Sequence, residues 1–261
     1  MTIVKHELRL GKISFLIWTA AIAFMMAVCV FVFPEMKAQM AGIDKLFSSL
    51  GVFTAAFGMD KLNFGTLIGY YSIECGNVLG LGGAFFASLC AANILSKEEK
   101  EHTAEFLLVH PVSRTRIVTE KLIAVLIQIA AMNLIIYAVS IGSVAAIGEE
   151  IPWKELNMYH FAYFLMQLEL AGICFGISAF SGKGNTGAGL GIAVIMYFMN
   201  LIANTAKSAA FLKNITPFGY CDGAEIVSSG GLDTGKIAIG LTIGIMCIIS
   251  AYIKYGKKDI Q

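Results

Sequence analysis

Six long apolar segments separated by shorter polar stretches dominate the pattern of hydrophobic and polar positions along the chain. They lie at residues 13–33, 67–95, 118–147, 159–180, 187–206 and 236–254. A membrane-spanning helix needs about 20 predominantly apolar residues, because it rises about 1.5 Å per residue across about 30 Å of hydrocarbon. The runs lack the alternation of a strand, and backbone polar groups in lipid must be satisfied within a helix or a closed barrel. The pattern therefore predicts an all-α membrane protein, with residues 1–261 forming a single transmembrane domain.

The composition agrees with a lipid environment. Hydrophobic residues make up 57% of the chain and charged residues 14%, whereas soluble domains have about 45–50% and about 25%. The net charge of +1 argues against a nucleic-acid partner, which requires a basic surface. The six cysteines include no C-x-x-C pair and are expected to be buried thiols rather than zinc ligands or disulfides.

The Lys and Arg residues predict the orientation, because cytoplasmic flanks carry the excess of positive charge. With six spans, one side holds twelve of them: Lys5, Arg9, Lys12, Lys97, Lys100, Arg114, Arg116, Lys121, Lys183, Lys254, Lys257 and Lys258. The other side holds seven: Lys37, Lys45, Lys61, Lys154, Lys207, Lys213 and Lys236. We therefore expect both termini in the cytoplasm.

Four segments outside the spans have features of their own. Residues 1–12 are basic and amphipathic, which predicts a helix lying on the cytoplasmic membrane surface. The outer connections at 34–66, 148–158 and 207–235 are longer than a turn requires. In the first and the last of these connections we expect short helices that cap the bundle, either lying at the outer interface or dipping back into the bundle.

The cytoplasmic loop at residues 96–117 belongs to the most charged stretch of the chain. Ser96 can cap a helix whose first turn contains Glu98 and Glu99. That helix should end before Pro111, which lacks a backbone donor and restricts the preceding residue. A plain interfacial helix joining two spans would account for this pattern, but the loop contains more detail than such a helix needs.

This detail resembles the loop E-x-G-T-x-E-x-L-L-x-x-P-V-S-R-x-x-I-x-x-x-K of ABC-2 type transporter permeases. The matching residues are Glu101, Thr103, Glu105, Phe106, Leu107, Leu108, Pro111, Val112, Ser113, Arg114, Ile117 and Lys121. His102 departs from the pattern, since a glycine is commoner there. The six-span plan and the amphipathic N-terminal segment are also similar to this family along the whole chain.

The resemblance implies that the loop contains a coupling helix, which docks in a groove of a separate cytoplasmic ATPase subunit. In the family's terms, the glutamates would face basic residues of the ATPase, Phe106 and Leu107 would pack into its groove, and Arg114 would fix the helix against the N-terminal helix or the partner. The implied interface consists of Glu98, Glu101, Glu105, Phe106, Leu107, Leu108, Pro111 and Arg114. Residues 1–12 would be the family's connecting helix.

The family also implies the remaining partners. A second permease, either an identical copy or a homologous chain, would complete a path through the membrane lipids. ATP and Mg²⁺ would be bound by the partner ATPase, so that no cofactor is expected in this chain. The closest string to a P-loop, GGLDTGK at 230–236, is followed by Ile237 where a Ser or Thr is required. Short permeases of this kind resemble those of bacterial exporters, which predicts the bacterial cytoplasmic membrane as the location and an amphipathic peptide or lipophilic drug as the substrate.

Two acidic residues, Glu74 and Glu169, fall within predicted spans, where a charged side chain costs about 2.5–3.5 kcal/mol on insertion scales. They could lie on a translocation path together with Asn77, or they could be hydrogen-bonded to neighbours that hold the bundle together. They also leave open a secondary transporter that uses both carboxylates. A third alternative is a non-transporting scaffold that recruits a cytoplasmic partner through the charged loop.

Overall fold

The computed structural model describes residues 2–49, 51–57, 59, 62–100, 112–181 and 186–257, with the backbone alone at 40–49 and 52–53. The described α-helices are α1 (Thr2–Ser49), α2 (Gly51–Ala56), α3 (Leu67–Ala92), α4 (Lys97–Lys100), α5 (Arg114–Ala146), α6 (Trp153–Phe180), α7 (Thr186–Thr205), α8 (Gly223–Ser229) and α9 (Thr234–Lys257). Two 3₁₀ segments, Lys207–Asn214 and Pro217–Tyr220, lie between α7 and α8. The all-α prediction is confirmed.

Six of these helices, α1, α3, α5, α6, α7 and α9, are long and apolar enough to cross a membrane. Each contains one of the six predicted segments, apart from the last residues of the second, third and fifth, so the span prediction is also confirmed. Helices α3 and α6 are the most deeply buried and pack against each other, while α7 and α9 bury the smallest share of their apolar length. Helix α1 packs on α5 and α3, and α9 packs on α6.

The spanning helices alternate in direction, which gives the bundle two ends. We call the end that contains the start of α1, residues 93–100, the start of α5, the ends of α6 and α9, and the start of α7 the terminal face. Contacts such as Asn93 Nδ2 donating to Thr186 Oγ1 at 2.6 Å bring these segments together. The other end, where Lys37 meets Glu149 at 2.6 Å, is called the opposite face.

Helix α1 corrects two expectations. Residues 2–12 do not form a separate surface helix but are the first turns of α1. The helix also does not end with the predicted span at residue 33, but continues without interruption through Pro34 to Ser49. Proline removes one helical hydrogen bond, and neighbouring helices can compensate for this within a membrane protein. The side chains of Val4 and Glu7 are buried against the bundle, which holds this end of the helix in line with the span.

The outer connections differ in how far they form short helices. In the first, α1 and α2 occupy most of residues 34–56, where we expected several short surface helices. In the last, two 3₁₀ segments and α8 occupy most of residues 207–229. Residues 216–221 are buried there, so this connection folds back into the bundle. We call residues 207–229 the re-entrant segment.

Close helix approach depends on glycines at small-x-x-x-small spacing. A Cβ atom on Gly172 would lie 2.9 Å from the carbonyl oxygen of Gly244, and a Cβ on Gly176 would lie 2.9 Å from that of Cys247. The backbones of α6 and α9 are therefore in contact. Gly76 and Gly80 of α3 make room in the same way for the rings of Tyr159 and Tyr163.

Candidate coupling site and intramembrane polar groups

The terminal face contains a buried ion cluster centred on Lys121 of α5, whose side chain is 0% exposed. Its ammonium group donates to Glu7 Oε1 at 3.0 Å, to the carbonyl oxygen of Ile94 at 2.6 Å, and to Glu98 Oε1. Lys97 donates to the other oxygen of Glu7. All three N–H donors of Lys121 are thereby satisfied, which is the condition under which a buried ammonium is tolerated.

The cluster joins parts of the chain that are distant in sequence. Glu7 belongs to the start of α1, Lys121 to α5, and Lys97 and Glu98 to α4, which leads into the charged loop. We call Glu7, Lys97, Glu98 and Lys121 the ion cluster. Because four side chains on three helices are linked in it, a displacement of α4 must disturb α1 and α5 together.

A second link ties the start of α1 to α5. Glu120 Oε2 accepts hydrogen bonds from the backbone N–H groups of Ile3 at 3.0 Å and Val4 at 3.3 Å, and its other oxygen accepts from Arg116 Nε at 2.9 Å. A carboxylate is favourable at a helix N-terminus, where backbone donors have no partner within the helix. The first turn of α1 is therefore capped by a residue of another helix.

Two further contacts fix the ends of α3 and α9. The backbone N–H of Leu95 donates to Ser178 Oγ of α6 at 2.9 Å. Arg114 donates to the carbonyl oxygens of Tyr255 and Gly256 at 3.3 and 3.4 Å, which lie at the C-terminal end of α9, where a cation is favourable. With these contacts, the segments on both sides of the charged loop are tied to the transmembrane bundle.

The predicted interface is only partly within the described residues. Glu98 turns towards Lys121, and Arg114 contacts α9, a contact that the sequence did not predict; the expected contact of Arg114 with the partner subunit stays a prediction. Ser96 directly precedes α4, but its buried Oγ has no hydrogen-bond partner among the described residues, so the expected side-chain cap is not formed. Six of the residues lie outside the described part of the chain: Glu101, Glu105, Phe106, Leu107, Leu108 and Pro111.

Glu169 is buried within α6, at 2% exposure. Its Oε2 accepts a hydrogen bond of 2.8 Å from the hydroxyl of Tyr220, in the re-entrant segment. A Cβ atom on Gly240 of α9 would lie 2.0 Å from the same carboxylate oxygen, so only a glycine leaves room for it there. The nearby Gln167 accepts at its Oε1 from Asn133 Nδ2 at 2.7 Å, and its Nε2 has no hydrogen-bond partner among the described residues.

Asn77 and Glu74 lie on α3 in different surroundings. Asn77 donates to the carbonyl oxygen of Ile73 at 2.9 Å, accepts from the hydroxyl of Tyr197 at 3.1 Å, and lines a small cavity. Glu74 is half-buried and does not line that cavity. Of the three residues predicted for a translocation path, Asn77 and Glu169 line two different cavities.

The opposite face has a charge network of its own. Lys213 pairs with Glu225 at 2.5 Å and Asp222 at 3.4 Å, while Lys236 reaches Asp233 at 3.2 Å and Glu225 at 3.6 Å. Burial lowers the pKa of Lys213, but its two carboxylate partners outweigh that effect and raise the pKa above its usual value. These pairs hold the ends of the re-entrant segment together.

Several buried polar contacts were not anticipated from the sequence. Glu7 and Glu120 were not singled out, although an acidic residue in a basic N-terminal segment and an E-K pair at the start of a span could have drawn attention to them. In the bundle, the Tyr71 hydroxyl lies 2.7 Å from His160 Nε2 and 2.9 Å from Ser140 Oγ. The feature of the sequence that could have indicated this contact is the presence of a histidine and a tyrosine within apolar segments.

Comparison with known families agrees with this architecture. Residues 1–253 match the family model described as ABC-2 family transporter protein, and the chain therefore belongs to the ABC-2 family of transporter proteins. This membership makes it a multi-pass membrane permease subunit of an ABC transporter, which in this family is typically non-catalytic and associates with an ABC ATPase subunit. Comparison with curated proteins gave no match.

Proposed function

We propose that this permease is part of an ATP-driven exporter and that a separate ATPase subunit docks on its terminal face, which is then the cytoplasmic face. Support for the orientation comes from the twelve Lys and Arg residues assigned to that face against seven on the other. Nearly the whole chain matches the ABC-2 family, which supports the ATPase partner.

The ion cluster is the observation that carries the proposal. A docking segment can drive a transporter only if its motion reaches the spanning helices as a rigid-body displacement. The cluster provides such a connection, because Glu98 at the beginning of the charged loop is held by Lys121 of α5, which also holds Glu7 of α1. Arg114 supplies a second connection, from the start of α5 to α9.

In the proposed cycle, ATP binding closes the ATPase dimer and moves the loop that begins at Glu98. The remaining contacts with the ATPase are assigned to Glu101, Glu105, Phe106, Leu107, Leu108 and Pro111. The ion cluster passes the motion to α1 and α5, and two permeases, identical or homologous, alternate between inward-open and outward-open states. ATP and Mg²⁺ act in the partner subunit, and hydrolysis resets the cycle.

The proposed substrate is an amphipathic peptide or a lipophilic drug. Support comes from the mixed character of the membrane interior, where polar groups such as Asn77 and Glu169 lie among apolar and aromatic side chains. We assign Glu169, Asn77 and Glu74 to the path or its walls.

The test is a double variant that removes both ion pairs of Lys121 without leaving a buried charge unpaired. In Lys121→Met/Glu98→Gln, Glu7 keeps Lys97 as its partner. Reconstituted with its ATPase, this variant should still support ATP hydrolysis, while the amount of substrate moved per ATP should fall by about tenfold or more, since each 1.4 kcal/mol of lost coupling is a factor of about ten.

The matched control is Lys37→Met/Glu149→Gln, which removes an ion pair on the opposite face whose side chains are 48% and 29% exposed. It should leave transport per ATP close to that of the wild type. Equal transport by both double variants would refute the coupling role of the cluster. Transport without any ATPase that is lost in Glu169→Gln would indicate a secondary transporter, and ATPase binding without movement of any substrate would indicate a scaffold.

A further inference from the structure

A small polar cavity lies inside the half of the bundle next to the opposite face. It is enclosed by α3, α6, α7 and the re-entrant segment, and it measures ≈ 50 Å³. A single water needs about 10–15 Å³ by the same kind of measure. The cavity therefore has room for a few water-sized groups.

The hydrogen-bonding groups that remain available in this cavity are oxygen atoms. Ser72 is 5% exposed, and its Oγ has no hydrogen-bond partner among the described residues. The same holds for Asn200 Oδ1 and Asn204 Oδ1, both shielded from solvent. The amide nitrogen of Asn204 is already engaged, because it donates to the carbonyl oxygen of Ala56 at 3.1 Å.

A fourth amide oxygen has spare capacity. Asn77 Oδ1 accepts one hydrogen bond, from the Tyr197 hydroxyl, and a carbonyl oxygen has two lone pairs. Asp222 also lines the cavity, and its carboxylate accepts from Ala224 N–H and from Lys213. Four oxygen atoms of the lining therefore have unused acceptor capacity, namely Ser72 Oγ, Asn77 Oδ1, Asn200 Oδ1 and Asn204 Oδ1, which is costly in a buried site unless a donor satisfies it.

The aromatic residues around the cavity favour the same kind of ligand. Tyr163, Tyr197 and Phe218 line it, and aromatic faces attract cations by their quadrupoles. A primary ammonium group has three N–H donors, which match Ser72 Oγ, Asn200 Oδ1 and Asn204 Oδ1 in number. A quaternary ammonium has no N–H donor and is larger.

We propose that this cavity is a binding site for a primary ammonium group, such as the lysine side chain or the N-terminus of an amphipathic peptide. The proposal rests on the proposed function, since it names the substrate group that the permease recognises. The acceptor oxygens bind the N–H donors, the aromatic rings surround the charge, and the stem of the ligand extends towards the membrane interior.

The test uses the full-length chain in lipid nanodiscs without ATPase, and the probe is n-butylammonium chloride. Tetramethylammonium chloride and NaCl at equal ionic strength are the reference salts. Thermal unfolding should show a saturable rise in Tm with n-butylammonium beyond that given by either reference salt. In Asn200→Leu and in Ser72→Ala the concentration for half-maximal effect should rise by about tenfold, because each variant removes a hydrogen-bond partner of a charged group.

Asn214→Leu is the matched control, since Asn214 is an exposed asparagine of the same face outside the cavity, and it should respond like the wild type. Equal stabilisation by all three salts, or an unchanged response of the Asn200 and Ser72 variants, would overturn the proposal. The coupling variant Lys121→Met/Glu98→Gln should retain the n-butylammonium response. Failure of the ammonium site is therefore distinguishable from failure of the ATPase coupling.

Discussion

The two ends of the bundle both contain buried or half-buried charges, but they connect the chain in different ways. At the terminal face, Lys121 joins Glu7 and Glu98, which are 114 and 23 positions away. At the opposite face, the ion pairs of Lys213 and Lys236 are all formed among residues 213–236. The Tyr220–Glu169 hydrogen bond ties this segment to α6.

The two faces therefore differ in which parts of the chain their ion pairs hold together. Long-range ion pairs make the terminal face respond as one unit, which suits the reception of a mechanical input. At the opposite face, local ion pairs link residues within the re-entrant segment and its connection to α9.

The largest effect is expected from breaking the ion cluster on one side only. Lys121→Met leaves Glu98 facing an apolar group and takes one of the two cations from Glu7. Removing one partner of a buried ion pair typically costs about 3–5 kcal/mol, so the free energy of unfolding, measured by denaturant titration in mixed micelles, should fall by about that amount.

The comparison variant is Lys37→Met, on the opposite face. Its exposed pair with Glu149 should contribute about 0–1 kcal/mol. Adding Glu98→Gln to Lys121→Met should recover part of the loss. Similar costs for Lys121→Met and Lys37→Met would contradict the distinction between the two faces.

A smaller effect is expected from Tyr220→Phe, which removes the hydroxyl that donates to Glu169. A buried acceptor left without its donor costs about 1–3 kcal/mol. Tyr252→Phe is the matched change at the terminal face, where the Tyr252 hydroxyl lies 2.8 Å from Thr119 Oγ1 in a half-buried position. The loss in free energy of unfolding should be lower for Tyr252→Phe. Limited proteolysis at residues 215–226 should be faster than in the wild type for Tyr220→Phe and unchanged for Tyr252→Phe. Equal proteolysis of both variants would show that Tyr220 does not hold the re-entrant segment.

The smallest effect concerns Lys213 and pH. Its pKa in the folded protein is raised above its ordinary value of 10.5, so its ion pairs stabilise the fold below that pH and lose this contribution as the pH rises through the folded value. Lys213→Met should therefore be less stable than the wild type by about 0–1 kcal/mol at neutral pH. The two Tm values should converge as the pH rises through the raised pKa of Lys213. A Tm difference that persists at high pH would assign the effect to packing rather than to charge.

Much of the fold could be predicted from the sequence because lipid imposes a minimum length on every spanning helix. The six apolar segments satisfied that requirement individually, without knowledge of their neighbours. The continuation of α1 past Pro34 could not be predicted, since it depends on packing against α5 and α3. Local rules favoured a break at that proline.

Less of the candidate site than of the fold could be predicted from the sequence. The resemblance to the family marked Lys121, but its three partners come from α1, α4 and a backbone carbonyl, and their meeting depends on how the helices pack. Glu169 was recognisable as an intramembrane acid, whereas its partner Tyr220 is 51 positions away in a segment outside the apolar runs. The sequence left open whether this connection lies at the outer interface or dips into the bundle, because that depends on how the helices around it pack.

The parallel pair formed by α1 and α5 has a mechanical consequence. The two helices are fastened at the terminal face by Glu120 on the backbone of Ile3 and Val4, and they pack against each other. Between Glu7 and Lys37, α1 rises by about 45 Å at about 1.5 Å per residue. Because α1 is continuous over this length, a small tilt imposed on its first turns at the terminal face becomes a larger displacement of its other end.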